Sequence, residues 1–365
     1  MERKILLTPG PATTSDSVKK AQVIPDICPR EKEFGYLLTS ISTDLTKIAG
    51  GDEEYACVLF GGSGTAGMDA ALGSIVNGKV LVINNGAYGK RFVDIAKSYS
   101  IKFKEIVFNW NEEIDLKKIE NELSNDREIK YIAIVHHETT TGVLNPIKEI
   151  GELAKKYNCV FIVDAISSFA GIPFSVKECN IDFMISTSNK CIQGMPGVFF
   201  IISKKIELEK LKEYPKKSFY LNLYLNYEYF KKNNQTPFTP PVQTIYALRK
   251  AIDEFFKEGA ENRHRRYMEN NKILVEGMEN LGFKRALKNL KESGLLTTFW
   301  EPVNDNYTFE KMHDLIYKKG FTIYPGKIKE KTFRLANIGN INSDDIKTFL
   351  KVMDETLKEM NLTLK

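Results

Sequence analysis

Residues 160–197 read VFIVDAISSFAGIPFSVKECNIDFMISTSNKCIQGMPG and carry two patterns typical of buried strands. The first apolar run, Val160–Asp164, ends in an acid. The second, Phe183–Ser186, leads to a polar turn that holds a single lysine, Ser188-Asn189-Lys190. An acid at the carboxyl end of one strand and a lysine just past a neighbouring strand face the same crevice of an α/β sheet. The stretch therefore predicts an α/β protein with Asp164 and Lys190 in one site.

This pairing suits pyridoxal phosphate, a cofactor that needs an amine to form a Schiff base and an acid to hold its pyridinium nitrogen. Lys190 would supply the amine and Asp164 the acid. The alternative is that Asp164 caps a turn and Lys190 is a solvated surface lysine. On these two residues alone that alternative is favoured, because both residue types are common. The flanking sequence favours the cofactor site instead.

Composition limits the classes of protein that fit. A chain of 365 residues with 42% hydrophobic and 27% charged residues indicates an ordinary globular protein, and two domains are expected at this length. A formal charge of +5 permits anionic small molecules but gives no argument for nucleic acid. Five scattered cysteines without a CxxC pair favour reduced thiols over disulfides or a metal site, and no stretch resembles a signal peptide or membrane span. A cytoplasmic enzyme without metal, nucleic-acid partner or membrane contact is expected.

Strand patterns alternate with helical patterns through the first two thirds of the chain, which predicts a largely parallel sheet with helices on both faces. We expect an N-terminal arm at residues 1–15, a large domain at 16–258 and a small α+β domain at 259–365. Residues 214–239 show no clear period and predict an extended loop. The run Arg263-His264-Arg265-Arg266 predicts a solvated helix face rather than a nucleic-acid patch.

Two further apolar runs predict strands outside the alternating series. Val198–Ile202 is expected to form a hairpin with Phe183–Ser186, from which it is separated by the lysine turn. Phe321–Tyr324 is expected to form one strand of the small domain.

Two turns at predicted strand ends could contact a phosphorylated, planar cofactor. The glycine-rich turn Gly61–Gly67 opens a helix, where free backbone N–H groups and hydroxyls stabilise a phosphate; the alternative is a turn that only permits tight packing. In the turn Asn85–Gly89, Tyr88 could stack on a ring or could simply fill a gap.

Two further segments are less specific. The segment His136–Gly142 offers threonines to a cofactor oxygen, while its adjacent histidines point in opposite directions and are poor ligands for one metal. Arg334 interrupts an apolar strand, so it either binds an anionic substrate group or forms an internal salt bridge.

In this order, these segments resemble the fold-type I, class V aminotransferases that use pyridoxal phosphate. The resemblance runs from TPGP at residues 8–11 to the strand of Arg334. Within the class, FGGSGTAGMDAAL, NNGAYGKR, HHETTTGVLNP and SNKCIQG resemble the branch that acts on 2-aminoethylphosphonate and pyruvate. Relatives that use alanine, serine or glyoxylate tend to carry tryptophan at position 88, serines in the ETTTG turn and glutamine before the lysine.

The resemblance implies a mainly parallel seven-stranded sheet flanked by helices, a smaller C-terminal domain and a homodimer with sites at the subunit interface. It also implies roles for individual residues. Lys190 would form the Schiff base, Asp164 would pair with the pyridinium nitrogen, Tyr88 would stack on the ring and Thr139 would approach the phenolate oxygen. The phosphate would be held by Ser63, Gly64 and Thr65 and reached by Thr239 of the neighbouring subunit, while Ser168 and Asn189 would flank the cofactor. Arg334 would bind the substrate acid, and Arg30, in DICPREKEF at 26–34, would help to bind the phosphonate.

The implied reaction converts 2-aminoethylphosphonate and pyruvate into phosphonoacetaldehyde and alanine. An alternative within the class is an alanine– or serine–glyoxylate or –pyruvate transaminase. A cysteine desulfurase is disfavoured because no cysteine lies in a long loop suited to persulfide transfer. A non-catalytic binding protein of the same fold is also possible, although such a protein has little need for Lys190.

Overall fold

The structure is a computed structural model that describes residues 3–287 and 290–364. Within these ranges it has fourteen strands, twelve α-helices and one 3₁₀ turn at Leu211–Glu213. The strands are β1 Ile5–Leu6, β2 Tyr55–Gly61, β3 Lys79–Asn84, β4 Phe103–Val107, β5 Ile129–Val135, β6 His137–Glu138, β7 Val143–Leu144, β8 Val160–Asp164, β9 Phe183–Thr187, β10 Val198–Lys204, β11 Leu296–Trp300, β12 Phe321–Thr322, β13 Tyr324–Pro325 and β14 Thr332–Ala336. The helices are α1 Asp16–Lys20, α2 Lys32–Ile48, α3 Gly64–Ile75, α4 Ala87–Ser98, α5 Leu116–Asn125, α6 Ile147–Lys156, α7 Lys205–Lys210, α8 Leu223–Asn233, α9 Val242–Glu258, α10 Ala260–Asn280, α11 Phe309–Lys318 and α12 Ser343–Glu359.

A seven-stranded sheet with the order β2-β10-β9-β8-β5-β3-β4 organises the large part of the chain. Only β10 is antiparallel to its two neighbours; every other adjacent pair is parallel. Six strands therefore point the same way, and their carboxyl ends meet at one edge of the sheet. The predicted mainly parallel, seven-stranded α/β sheet is confirmed, as is the expected antiparallel pairing of β10 with β9.

Helices cover both faces of this sheet because its strands are apolar on both sides. One face packs against α2, α5, α6 and α9 through residues such as Leu38 and Ile150. The other face packs against α3, α4, α7 and α8 through residues such as Met68 and Phe92. Each fully buried side chain of this kind stabilises the fold by about 1.5–3 kcal/mol.

A second core lies in the C-terminal part, where the sheet β11-β14-β13 packs with α10, α11 and α12. The N-terminal arm joins this part, since β1 pairs in parallel with β12 and Ile5 and Leu7 enter the same core. The start of α10 at Ala260, after a turn at Gly259, is compatible with the division at residue 258, which stays a prediction.

Two predictions about local structure are wrong. Within the supposed loop 214–239, helix α8 forms because the Asn222 side chain caps it by accepting the Leu225 N–H at 2.8 Å. Leu223 and Tyr227 of this helix are buried against the sheet. The segment 321–324 is not one strand, because it divides into β12 and the start of β13, which belong to different sheets.

The basic run on α10 is only partly solvated, since Arg265 is exposed but Arg263 and Arg266 are not. Arg263 is 1% exposed and donates to Glu258 Oε2 at 2.8 Å and to the Cys191 carbonyl at 3.0 Å. Arg266 donates to Glu258 Oε1 at 2.7 Å and to the carbonyls of Gly339 and Ile341. These arginines were mispredicted because most of their partners come from distant parts of the sequence. They join α10 to the chain just after Lys190.

No helix in residues 3–287 and 290–364 is both long and apolar enough to span a membrane.

Candidate active site

The carboxyl edge of the seven-stranded sheet brings together the segments that the sequence singled out. The glycine-rich turn follows β2 and opens α3, and the turn before Tyr88 follows β3 and opens α4. The segment 136–142 follows β5, Asp164 ends β8, and Lys190 comes three residues after β9 ends at Thr187. Because β5, β8 and β9 are neighbours, these groups converge on one crevice.

Lys190 and Asp164 follow adjacent parallel strands, since Asp164 pairs in register with Ile185 of β9. Burial lowers the pKa of the Lys190 ammonium, with Tyr88, Cys191 and Asp164 acting in the opposite direction. Burial raises the pKa of Asp164 to about 7, although its carboxylate accepts the Ile166 N–H at 2.8 Å and feels the charge of Lys190. A partly buried amine and a buried acid therefore lie within electrostatic range of each other. A cationic N–H group at Asp164 would restore its ionised form.

The N-terminal arm closes over the lysine. The Lys190 amine donates to the carbonyl of Pro9, and a side chain at Gly10 would overlap the lysine. Gly10 also has a φ of +139°, a conformation that favours glycine. The sequence predicted only an extended arm, and the contact with Lys190 was missed because β1 pairs with a strand more than 300 positions later.

The turn before α3 is suited to an anion. Ser63 is the N-cap of α3 but makes no capping hydrogen bond with its own side chain, so its hydroxyl and the first N–H groups of the helix remain available to a ligand. Thr65, in the first turn, accepts a hydrogen bond from Arg91 Nη1 at 2.9 Å. Arg91 was missed as a site residue. The signal was its position three residues after Tyr88 on α4, one helical turn away.

A buried carboxylate fixes the start of α4, which carries Tyr88. Glu138 is fully buried and accepts the N–H groups of Tyr88 at 3.2 Å and Gly89 at 3.1 Å through Oε2. Its Oε1 accepts the Thr140 N–H at 3.0 Å and the Thr140 hydroxyl at 2.6 Å. Burial raises the pKa of Glu138, while these hydrogen bonds oppose that shift. No role was predicted for Glu138, because two of its partners follow a different strand.

Arg334 is buried, yet within the described ranges it forms no salt bridge. Its Nε donates to the Pro325 carbonyl at 2.9 Å and its Nη1 to the Thr139 carbonyl at 2.8 Å. Two carbonyls do not neutralise a cation, so this geometry favours the prediction of an anionic ligand over that of an internal salt bridge. The neighbouring Thr139 hydroxyl is buried and has no hydrogen-bond partner in the described part of the chain, which leaves it available to a ligand oxygen.

The other predicted residues are Ser168, Asn189, Thr239 and Arg30, and they differ in burial. Ser168 is buried on the turn after β8, and the Asn189 side chain accepts a hydrogen bond from Thr187 at 3.1 Å. Thr239 is exposed on the loop before α9. Arg30 is exposed and donates to the Thr236 and Pro237 carbonyls, so it holds the loop that leads to Thr239.

His136, His137 and Cys191 are buried in the packed interior. Burial lowers the pKa of His136 to about 3 and of His137 to about 4, so both are neutral. His136 packs against Phe174, and His137 contacts the Ser293 hydroxyl at 2.8 Å. Cys191 is buried, and burial raises its pKa to about 12. Among the residues that the structure describes, no cluster of histidine, cysteine and acidic side chains could hold a metal ion.

Taken together, the crevice offers three features that a phosphorylated, cationic ring requires. It has a helix N-terminus with free donors, a buried acid at Asp164 and, counting partners among residues 3–287 and 290–364, an unpaired hydroxyl at Thr139. The residues present therefore fit such a group.

Comparisons with known proteins show which proteins this chain is similar to. A model of the family described as Aminotransferase class-V matches residues 20–316. A 2-aminoethylphosphonate–pyruvate transaminase of Bacteroides fragilis (strain YCH46) is 40% identical over 363 residues, covering 98% of this chain and 99% of the relative. The enzyme of that name from Vibrio vulnificus (strain CMCP6) is 40% identical over 359 residues, covering 97% of each chain. The crystal structure of a ureidoglycine–glyoxylate aminotransferase from Bacillus subtilis superposes with a TM-score of 0.91 at 22% identity, covering 100% of this chain and 95% of the other.

Proposed function

Because the chain belongs to the class-V aminotransferase family, we propose that it transfers the amino group of 2-aminoethylphosphonate to pyruvate. The products are phosphonoacetaldehyde and alanine. The relatives that carry this name align with nearly the whole chain at 40% identity, which supports the proposal. The single observation that carries the proposal is that Lys190 and Asp164 follow adjacent parallel strands, while Arg334 donates to the Thr139 carbonyl at the same edge of the sheet.

The cofactor that fits the site is pyridoxal phosphate. When bound, it carries the amino group between the two substrates and withdraws electrons from the carbon that loses a proton. Ser63, Gly64 and Thr65 would hold its phosphate at the start of α3, and Asp164 would accept the ring N–H. Tyr88 would lie against the ring and Thr139 would donate to the ring oxygen, with Ser168 and Asn189 beside them.

Lys190 has two tasks in this proposal. Its amine is the attachment point for the cofactor, and once released it moves the proton from the carbon next to the substrate nitrogen. Burial lowers its pKa, so a larger fraction of the amine is unprotonated and able to accept that proton. Arg334 orients the substrate by binding its acid group with the N–H donors that the two backbone carbonyls leave free.

We further propose a homodimer in which the loop with Thr239 enters the neighbouring subunit's site. Arg30 holds this loop through the carbonyls of Thr236 and Pro237, so in the dimer it would lie near the same anion-binding region. An exposed aromatic group beside Thr239 supports this assembly: the rings of Phe219 and Tyr220 pack on Phe238 at 5.5 and 5.1 Å.

An amino-donor assay tests the function. With 2-aminoethylphosphonate as donor and pyruvate as acceptor, the holoenzyme should produce alanine. This reaction should be faster than amino transfer from alanine or serine to glyoxylate. Lys190→Ala should lower turnover by at least about 100-fold, because it removes the proton-transferring amine. Borohydride should fix the cofactor to the wild type but not to this variant. The control Lys351→Ala changes an exposed lysine on α12 and should leave both readouts unchanged. A preference for alanine or serine as donor would instead assign the chain to another branch of the class.

A further inference from the structure

The hairpin formed by β13 and β14 carries two cations that approach the same place. Tyr324 pairs with Arg334 across the hairpin, and Gly326 N–H closes the turn by donating to the Thr332 carbonyl at 2.7 Å. Lys327 is the next residue in this turn. Its amine lies 3.2 Å from the hydroxyl of Tyr88 and 4.5 Å from the centre of the Tyr88 ring. One hairpin of the C-terminal part thus directs both Arg334 and Lys327 toward the crevice.

Lys327 is the less restrained of the cations around Tyr88. Arg91 also lies over this ring, at 4.7 Å, but it is anchored by its hydrogen bond to Thr65. Lys327 is exposed, and within residues 3–287 and 290–364 it takes part in no salt bridge. Its only side-chain hydrogen bond there is to the Tyr88 hydroxyl. The flexible lysine can therefore turn from this hydroxyl toward a bound anion.

The two substrates of the proposed reaction differ in charge. A carboxylate carries one negative charge and two oxygens, which a single arginine fork satisfies. A phosphonate carries three oxygens and, like a phosphate monoester, between one and two negative charges near neutral pH. Backbone carbonyls use two of the five N–H donors of Arg334, and its single positive charge does not balance a phosphonate that carries up to two negative charges.

We propose that Lys327 is a specificity-determining residue, which supplies the second positive charge for the phosphonate group of the amino donor beside Arg334. A lysine suits this task because its ammonium acts as a point charge with three donors and needs no planar partner. This inference rests on the proposed function, since it concerns the phosphonate substrate of the same site. The electrostatics of the resting site agree with it: although burial opposes the shift, the charges of Lys190 and Lys327 lower the pKa of Tyr88.

The test separates the two half-reactions of the holoenzyme. Lys327→Met should raise the KM for 2-aminoethylphosphonate by about 10- to 100-fold, the effect of losing one charge-assisted hydrogen bond, while the KM for alanine changes by less than about threefold. Lys327→Arg keeps the charge and should restore most of the affinity for the phosphonate. The matched control is Lys329→Met, which removes an exposed lysine two positions away in the same turn and should change neither value.

A binding measurement decides the assignment independently of turnover. Ethylphosphonate and propionate lack the amino group, so calorimetric titration of the holoenzyme reports their affinities without reaction. We expect Lys327→Met to weaken ethylphosphonate and to leave propionate unchanged. Equal losses for both ligands, or no ethylphosphonate binding to the wild type, would overturn the inference and leave Lys327 as a support for Tyr88. If ethylphosphonate binds through Lys327 but 2-aminoethylphosphonate is not a substrate, the proposed function fails and the anion site stands.

Discussion

At the scale of single residues, the site depends on charges that the fold keeps out of water. Asp164 is 3% exposed, and its carboxylate accepts one backbone N–H, from Ile166. An ionised carboxylate in that position is poorly compensated until a cation binds, which is why its pKa is raised to about 7. The ionised acid is therefore destabilising in the cofactor-free protein, and in the proposed function a cationic ring would compensate its charge.

This imbalance predicts a pH-dependent stability for the cofactor-free protein. In the unfolded chain an aspartate has a pKa near 3.9, whereas in the folded protein burial raises the pKa of Asp164 to about 7. Between these values the folded state binds one more proton than the unfolded state, so the contribution of Asp164 falls as the pH rises from about 4 to 7. The amide in the variant Asp164→Asn cannot ionise. Cofactor-free Asp164→Asn should therefore be more stable than the wild type at pH 8, by about 1–3 kcal/mol, with the difference lost near pH 4.

Urea unfolding of the cofactor-free proteins at several pH values measures this effect. Asp305→Asn, on an exposed loop, is the control, and its free energy of unfolding should equal that of the wild type at each pH. The stabilised Asp164→Asn should at the same time bind the cofactor more weakly, because it lacks the charge that we propose pairs with the ring nitrogen. A variant that is less stable than the wild type at pH 8 would show that Asp164 has a compensating partner.

At the scale of elements, a residue after β5 determines how the helix α4 begins. Glu138, after β5, accepts two N–H groups from the first turn of α4 and so fixes the direction in which Tyr88 leaves the helix. Gly86 is required beside it, since a Cβ there would lie 2.5 Å from the Glu138 side chain. The ring position of Tyr88 is thus set by a carboxylate that is distant in sequence.

Glu138→Gln should destabilise the protein by about 1–3 kcal/mol, because either orientation of the amide points an NH₂ group at backbone N–H donors and leaves them unpaired. Cofactor affinity should fall in the same variant through the displaced Tyr88. Thermal unfolding and a cofactor titration by absorbance measure the two effects. Glu152→Gln, an exposed change on α6, provides the comparison. If the two variants have the same stability and cofactor affinity, Glu138 does not fix the position of Tyr88.

The elements also show what the sequence could and could not predict. Strands such as β8 and β9 are short apolar runs with polar ends, so local pattern was sufficient to locate them and the residues that follow. Helix α8 was missed because its buried side is partly tyrosine and asparagine, which gives a weak hydrophobic period. The Glu138 hydrogen bonds to α4, the Pro9 contact with Lys190 and the Arg263 bond to Cys191 all join residues distant in sequence, and no local pattern predicts such pairs.

At the scale of the whole molecule, the C-terminal part completes a crevice that the large sheet begins. The sheet edge supplies Lys190 and Asp164, whereas β14 supplies Arg334 and the turn before it supplies Lys327. Arg263 ties α10 to the carbonyl of Cys191, next to the lysine. In the proposed reaction, substrate charge is therefore bound by one part of the chain and proton transfer is performed by the other, so their relative position matters for catalysis.

The same reasoning extends to a second copy of the chain. Phe219 is 78% and Tyr220 42% exposed, and both rings pack on Phe238 beside Thr239. Tyr220 also contacts the Gly61 carbonyl at 3.4 Å, so this aromatic group borders the proposed phosphate site. Exposed aromatic residues grouped in this way are typical of protein interfaces. We therefore expect the wild type to have twice the chain mass of 41.6 kDa in solution.

Phe219→Asp combined with Phe238→Asp should convert the dimer to a monomer, because two charges would be buried in an apolar contact at a cost of several kcal/mol. Light scattering after size exclusion measures the mass. The loss of the neighbouring subunit's loop should weaken cofactor binding in the same protein, whereas Thr239→Ala alone should weaken binding without changing the mass. Val303→Asp alters a fully exposed apolar residue outside this aromatic group and should remain dimeric. A dimer that survives the double substitution would place the interface elsewhere, and Thr239 would then have no route to a neighbouring phosphate through this surface.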